Sequence, residues 1–307
     1  MIAVRTSVIL PAYRAWETLP AALEALRPQV DRPDRELVLV ESSGTVPLGE
    51  LERRWPWARV LAPAERTLPG RARNLGLEAA SGELLAFTDA DAVTEPRWLD
   101  ELERALEPGA DGVAGVILNG APRSVLGTAD YLLEFSDWLP RPLLPLRHGA
   151  TCNLLLRRSV LAGRGFPEEL FPGEDTVVTF PLGAAGRLAF APDARARHVG
   201  RTGLFAFLRH QVELGAAFAA VCTEVDFPYG RLARARYAPL LPALRLFAVA
   251  RRVRGNPAAV RQALAVSPAL VVGAFAWSAG LVRADLRRSA RARRLRRPSR
   301  SRAGDPA

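Results

Sequence analysis

Two carboxylates one residue apart, Asp89 and Asp91, close the apolar run Leu84–Thr88. So spaced, they can share a hard divalent cation, which proteins hold with one or two carboxylates and substrate phosphates complete. Asp-x-Asp is common in loops, so its neighbours decide what it means. Upstream lies Gly70-Arg71-Ala72-Arg73-Asn74-Leu75-Gly76-Leu77, then Ala80-Ser81-Gly82-Glu83 leading into the run. Downstream, Gly173-Glu174-Asp175-Thr176 sets an acidic pair at the start of a helical stretch, where the helix dipole favours negative charge.

These residues need a frame. Ser7–Leu10, Leu37–Val40, Arg59–Leu61, Leu84–Thr88 and Val113–Leu118 read as buried strands. Between them Leu19, Ala22, Leu23 and Leu26 fall at helical spacing, with Thr18 as the expected N-cap. Arg71–Ala80 is a second helix that Ser81-Gly82 should stop, and Thr94-Glu95-Pro96 should open a third. Strands alternating with helices predict an α/β fold with a doubly wound, mostly parallel sheet. In such sheets ligands bind beyond the carboxyl ends of strands, where Asp89 and Asp91 would stand. Residues 120–200 are less regular, with a strand expected at Asn153–Leu156 and a helix after Asp175; from Gly203 the pattern is helical.

The ordered set of Ser7-Val8-Ile9-Leu10-Pro11-Ala12-Tyr13, Glu41, Ala72-Arg73-Asn74, Asp89-Ala90-Asp91 with Trp98-Leu99, Asn153 with Arg157-Arg158, and Glu174-Asp175 resembles the family-2 glycosyltransferases, inverting enzymes of the GT-A fold. The resemblance runs from residue 5 to about 200. It implies transfer of a sugar from a nucleoside-diphosphate sugar to a carbohydrate or lipid-linked acceptor hydroxyl, with Mg2+ or Mn2+ as cofactor. Pro11, Ala12 and Tyr13 would line the nucleobase pocket, and Glu41 would accept from a ring N–H of the base. The family usually has Asp there, in an Asp-Asp-Gly-Ser-like turn; here Glu41-Ser42-Ser43-Gly44 supplies a longer carboxylate. Arg73 would lie near the base or the diphosphate. Asp89 would touch the ribose or the metal, and Asp91 would ligate the metal. His198 falls where related enzymes carry a metal- or diphosphate-binding His, and a neutral imidazole is a suitable ligand beside carboxylates. Asp175 would be the general base that takes the acceptor proton, with Glu174 orienting the acceptor or capping the helix. The Gln-x-x-Arg-Trp motif of processive members is absent, since Gln211-Val212-Glu213-Leu214-Gly215 does not supply it, so single addition is expected.

The remaining composition bounds the setting. Hydrophobic residues make up 49% of the 307 and charged residues 24%, a globular balance. All 42 basic residues are Arg, which a codon bias explains without function. From Arg283 to Ala307 ten Arg stand against Asp285 and Asp305, so +8 of the net +10 sits there and the preceding 282 residues carry only +2. Cys152 and Cys222 form no disulfide or zinc pattern. Met1–Arg5 runs directly into the first apolar stretch, so no signal peptide is expected and the chain should act in the cytoplasm. Gln262–Val282 is uncharged for 21 residues, a length of about 31 Å if helical. It could cross a bilayer, lie in its interface or pack as a core helix; Arg on both flanks argues against a single span, and interfacial docking needs the fewest assumptions. A membrane surface is therefore an expected partner and specific nucleic acid is not. The expected division is a GT-A catalytic domain over 1–202, a helical, basic C-terminal extension over 203–284 with membrane affinity, and a disordered Arg-rich tail over 285–307. The rival readings are a sugar-1-phosphate nucleotidyltransferase, which lacks its usual Gly-rich basic loop after the first strand, and a non-catalytic membrane-bound scaffold.

Overall fold

The computed structural model describes residues 5–140, 146–227 and 230–295. Eight strands form one mixed sheet: β1 (Thr6–Ala12), β2 (Arg35–Glu41), β3 (Arg59–Leu61), β4 (Leu84–Phe87), β5 (Ala92–Thr94), β6 (Gly112–Asn119), β7 (Leu154–Arg157) and β8 (Leu188–His198), in the order β3-β2-β1-β4-β7-β6-β8-β5. Pairings β3-β2, β2-β1, β1-β4 and β6-β8 are parallel, whereas β7 runs antiparallel to β4 and β6, and β5 antiparallel to β8. The doubly wound α/β reading holds. Period-two alternation sends Ile9, Val38, Val40, Leu85 and Phe87 into one apolar layer, and Val8, Leu10, Leu37, Leu39 and Ala86 into the other. A sheet covered on both faces explains why these strands read as continuous apolar runs.

Three local expectations are corrected. Thr18 precedes the helix Leu19–Val30 but does not cap it; its hydroxyl leans back to Ala15 O at 3.4 Å and the helix has no side-chain cap. Gly82 is not a left-handed helix stop. The helix Pro69–Ala79 ends in extended backbone at Ala80, and Gly82 is small because a Cβ there would meet the Ser7 backbone nitrogen at 2.7 Å. Pro96 lies outside the next helix, Trp98–Arg104, which opens after Arg97 in the left-handed region at φ 69°. That turn seats fully buried Trp98, whose Nε1–H donates to Asn153 Oδ1 at 2.8 Å, while Asn153 Nδ2 donates to Val116 O and Ala194 O. One amide thereby ties β6, β8 and the helix to the short turn before β7.

The C-terminal helices are built onto the same core. Val249, Val253, Val266 and Leu270 belong to the apolar layer that holds Leu132, Leu133 and Phe207. Helices Leu204–Glu224 and Ser267–Leu295 cross with backbones in close contact, because Gly215 faces Trp277 O and Gly280 faces Val212 O with no room for a Cβ. The uncharged run Gln262–Val282 is not one helix: Pro257–Ala265 ends at Val266, and Ser267-Pro268 starts the next. Two helices remain long and apolar enough to cross a membrane, Leu204–Glu224 and Ser267–Ala290, with 33% and 50% of their apolar windows buried within the protein. The last helix continues through Leu295, into the stretch expected to be disordered, anchored where Asp285 accepts from Ala235 N–H, Arg234 and Arg288. Residues 296–307 of that expected tail lie outside the described residues.

Candidate active site

Parallel pairing of β1 with β4 sets Pro11–Tyr13 and Asp89 at one edge of the sheet. Past β4, Thr88 anchors its hydroxyl on Cys152 O at 3.2 Å, and a turn closed by Ala92 N–H on Asp89 O at 3.1 Å brings Asp91 round. Asp91 then sits beside His198 because β5 pairs with the end of β8, Ala92 opposite His198, with Val199 N–H donating to Asp91 O at 3.0 Å. His198 Nε2 lies 3.2 Å from Asp91 Oδ1, and one ligand atom each from Asp89, Asp91 and His198 all fall within 4.8 Å of one another. Two carboxylates and an imidazole so gathered fit a divalent cation. Burial and the neighbouring Asp91 keep the Asp89 carboxyl above its ordinary value even with Arg73 beside it. Asp91, although also desolvated, is held down to about 2 by the His198 it pairs with.

Arg73 joins this group to the acidic helix start. It is 3% exposed, with Nη2 at 2.7 Å from Asp89 Oδ1 and Nη1 at 2.5 Å from Glu174 Oε1. Burial works against its charge, and Asp89, Glu174 and Asp175 more than offset this. Desolvation pushes the Glu174 carboxyl up to about 7 despite Arg73. Glu174 thus holds Arg73 while lining the cavity. Asp175, next to it at the start of the helix Glu174–Ala184, is open to the cavity and fixed by Thr151 N–H on Oδ2 at 3.2 Å and Thr176 N–H on Oδ1 at 2.6 Å.

The nucleobase side is only partly assembled. Pro11, Ala12 and Tyr13 line the cavity, and the Tyr13 ring lies under the Arg66 guanidinium at 4.6 Å. Glu41 is 1% exposed and sits behind Ser42, which lines the cavity in its place. Its Oε1 accepts from Ser43 N–H at 3.0 Å, and its buried Oε2 has no partner among the described residues.

Sequence reasoning passed over a second acidic group, Asp130, Glu134 and His210. His210 Nε2 lies 2.9 Å from Glu134 Oε2, and Asp130 accepts from Gln211 Nε2 and Arg201 N–H. Burial would raise Glu134, but His210 and Arg201 hold it down to about 2. Arg201 stands within electrostatic reach of Glu134, Asp91, Asp130 and Asp89. Asp130 and Glu134 have His210 and Arg201 as their cations, and Asp89 and Asp91 have Arg73, His198 and the same Arg201, so the two groups adjoin. The signal in the sequence was the helical spacing of Asp130 and Glu134, too common to single out.

Apart from Glu41 and Asp130, these groups face one cavity of about 1290 Å³ that reaches from Tyr13 past Asp91 and Asp175 to the C-terminal helices. Small-molecule sites commonly measure roughly 300–1,000 Å³, so there is room for more than one substrate.

The model of glycosyl transferase family 2 matches residues 7–162. Glycosyltransferase AglE of Haloferax volcanii is 31% identical over 205 residues, 64% of this chain and 67% of that protein. Succinoglycan biosynthesis protein ExoM of Rhizobium meliloti is 37% identical over 133 residues, 40% of this chain and 42% of its own length. Among solved structures, the mannosyltransferase PcManGT of Pyrobaculum calidifontis, in complex with GDP-Man and Mn2+, superposes with a TM-score of 0.59 at 19% identity, over 94% of this chain and 87% of that one. Glucosyl-3-phosphoglycerate synthase of Mycobacterium tuberculosis does so with a TM-score of 0.53 at 20% identity, over 73% and 81%. At such identities the superpositions speak to the fold, which they share.

Proposed function

Because the chain belongs to glycosyl transferase family 2 and is a glycosyltransferase, we propose that it is an inverting one, using a nucleoside-diphosphate sugar and a single carboxylate base, Asp175. The observation that carries this reading is the sharing of one cavity by the Asp89–Asp91–His198 cluster and by Asp175, held by two backbone N–H groups at a helix start. The acceptor hydroxyl oxygen attacks the anomeric carbon on the face away from the diphosphate. As that C–O bond forms, the bond from the anomeric carbon to the diphosphate oxygen breaks, its electron pair leaves with the nucleoside diphosphate, and the hydroxyl proton passes to Asp175.

Asp89, Asp91 and His198 would hold Mg2+ or Mn2+, the imidazole making Mn2+ the closer match. When bound, the cation supplies neutralisation of the charge that develops on the leaving diphosphate. Arg73 fixes Asp89 and Glu174 around the site, and Arg201 adds positive charge at its rim. Pro11, Ala12 and Tyr13 bind the nucleobase, with the unpartnered Glu41 Oε2 as acceptor for a ring N–H once Ser42 and Glu41 adjust.

Residues 1–202 do this chemistry, 203–284 wall the acceptor end, and the basic residues beyond 285 favour an anionic membrane surface at the cytoplasmic face. The relative named for succinoglycan biosynthesis supports a place in polysaccharide or glycolipid assembly. Asp175→Asn tests the assignment. Transfer should fall about 10²–10⁴-fold, the usual worth of a positioned base, while nucleoside-diphosphate binding with Mn2+ persists. Turnover retained in that variant would sink Asp175 as the base.

A further inference from the structure

The chain segment before β7 is laid along the helix Glu174–Ala184, which carries Asp175. A Cβ on Gly183 would meet Arg147 O, Gly149 N–H donates to Thr179 Oγ1 at 2.9 Å, and Thr151 N–H reaches Asp175 Oδ2 at 3.2 Å. Residues 147–151 thus pass from the last turn of that helix to its first. On this run His148 lines the cavity, and its ring is closed in by Trp138, edge-on at 4.8 Å, and by Phe227 at 5.8 Å. Neither ring nitrogen has a hydrogen-bond partner among the described residues. Nδ1 is buried and bare, and Nε2 stands 3.9 Å from Asp137 Oδ2, too far for a direct bond. Asp137 is held in place from the other side by Arg252 of the helix Leu241–Val253, at 2.6 Å. Burial keeps the imidazole below its ordinary 6.5, with Asp137 and Asp175 opposing this and Arg252 adding to it, so the ring is neutral at pH 7. A buried N–H without an acceptor costs more than a bare nitrogen, which puts the one ring proton on Nε2, toward Asp137.

A donor and a carboxylate 3.9 Å apart at a cavity wall are set for a hydroxyl. An oxygen about 2.8 Å from each would accept from Nε2–H and donate to Oδ2, both at ordinary length. A cation gains nothing from the N–H and an anion would meet the carboxylate, so this fork selects a neutral O–H. It adjoins the base, because the same run of chain carries His148 and the N–H that holds Asp175. Resting on the transferase reading above, we propose that His148 and Asp137 determine acceptor specificity by holding a hydroxyl that neighbours the one being glycosylated. The held hydroxyl keeps its proton, while the attacking one gives its proton to Asp175. Arg252 acts through Asp137 as a positioning residue, and by this link the helix Leu241–Val253 takes part in reading the acceptor.

Deletion of single hydroxyls from a probe sugar tests this. Methyl glucoside, mannoside and galactoside, each with its monodeoxy analogues, are titrated into the full chain with Mn2+ and UDP or GDP, and binding is followed by ligand-observed NMR. For the best-bound glycoside, one deoxygenation should weaken binding at least about tenfold, the loss expected when a hydroxyl held by a carboxylate and an N–H is removed. In His148→Phe, which keeps a ring against Trp138 and Phe227, that same deoxygenation should cost less than about twofold. His148→Gln, whose amide N–H can stand in for Nε2–H, should restore most of the difference. Where His148→Phe fails to fold, Asp137→Asn should shrink it in its place. Deoxygenation at the attacking position should stay costly in His148→Phe and lose its cost in Asp175→Asn. A native chain that binds no glycoside or is indifferent to every deoxygenation overturns the proposal, as does a His148→Phe chain with the native pattern. Mn2+-dependent binding of UDP or GDP on the same samples reports on the transferase reading separately. Its absence from the native chain would count against that reading, and its presence beside an unmet deoxygenation test would count against His148 and Asp137 alone.

Discussion

The two ends of the cavity are built by different means. At the donor end three groups are fixed twice: Asp91 by a strand and by His198, Arg73 by Asp89 and Glu174, Asp175 by two backbone N–H groups. The backbone there comes from strand ends and a helix start, whose positions the sheet dictates. At the other end helices present apolar residues and arginines on their faces, several exposed and unpaired among the described residues. Strand ends give precision to charge that must meet a small polar ligand, while a helix face gives area and can change its side chains without moving its backbone. The contrast implies that a substitution at the donor end damages both structure and binding, and one at the other end changes only what is bound.

The largest expected effect breaks the donor end at its centre. Asp91→Asn removes a proposed ligand and the partner of His198, so Mn2+-dependent affinity for a nucleoside diphosphate should drop at least about a hundredfold, as losses at metal sites do. Calorimetry with and without Mn2+ measures it. Unchanged metal dependence would show that the cluster is structural, and the contrast between the two ends would lose its basis.

Next comes the polar tie that carries the donor end. Asn153→Ala strands Trp98 Nε1–H and the carbonyls of Val116 and Ala194 in a fully buried setting. Each buried group left unsatisfied costs about 1–3 kcal/mol, so a loss of about 2–3 kcal/mol is expected after relaxation. Denaturant unfolding would read it, and a loss below about 0.5 kcal/mol would mean that the three strands hold their register without this amide.

How much of this could be read from the residues alone differs between the same two ends. Buried parallel strands are uniform apolar runs, so β1 to β4 and β6 stood out, and with them the placing of Asp89 and Asp91 at strand ends. β8 did not, because Pro192, Asp193, Arg195 and Arg197 mask it; its signal is the inward alternation Ala194, Ala196, His198, which also aims His198 at Asp91. β5 is three residues long and owes its existence to pairing with β8. The break at Val266 was hidden because hydropathy sums over residues and ignores the Ser267-Pro268 start signal within the run. That Arg245 pairs with no carboxylate among the described residues could not be read from the sequence, since a charge's lack of a partner is a property of the fold.

A smaller effect should mark the boundary between the ends, where Glu134 and His210 pair across two helices with Asp130, Arg201, Gln211 and His198 around them. Glu134 is held down to about 2, so its share of the stability is present above the ordinary carboxylate range and is lost as pH falls toward 2. His210 is raised above its ordinary 6.5, so its share is full below that value and is lost as pH rises through the raised one. The melting-temperature gap between the native chain and His210→Gln should therefore be widest at about pH 5–6 and narrow on either side. A gap independent of pH would mean that His210 acts by packing alone.

The smallest effect is expected at the acceptor end, and its smallness carries the comparison. Phe247 is 66% exposed and its helix is held by Leu241, Val249 and Val253 on the buried side. Phe247→Ser should shift unfolding stability by no more than about 0.5 kcal/mol, the usual range for an exposed position away from caps and turns. If it instead cost as much as Asn153→Ala, Phe247 would be part of the core of the C-terminal helices, and the contrast between the two ends would fail. A neutral result by thermal melting would place the Phe247 ring outside the core that holds its helix.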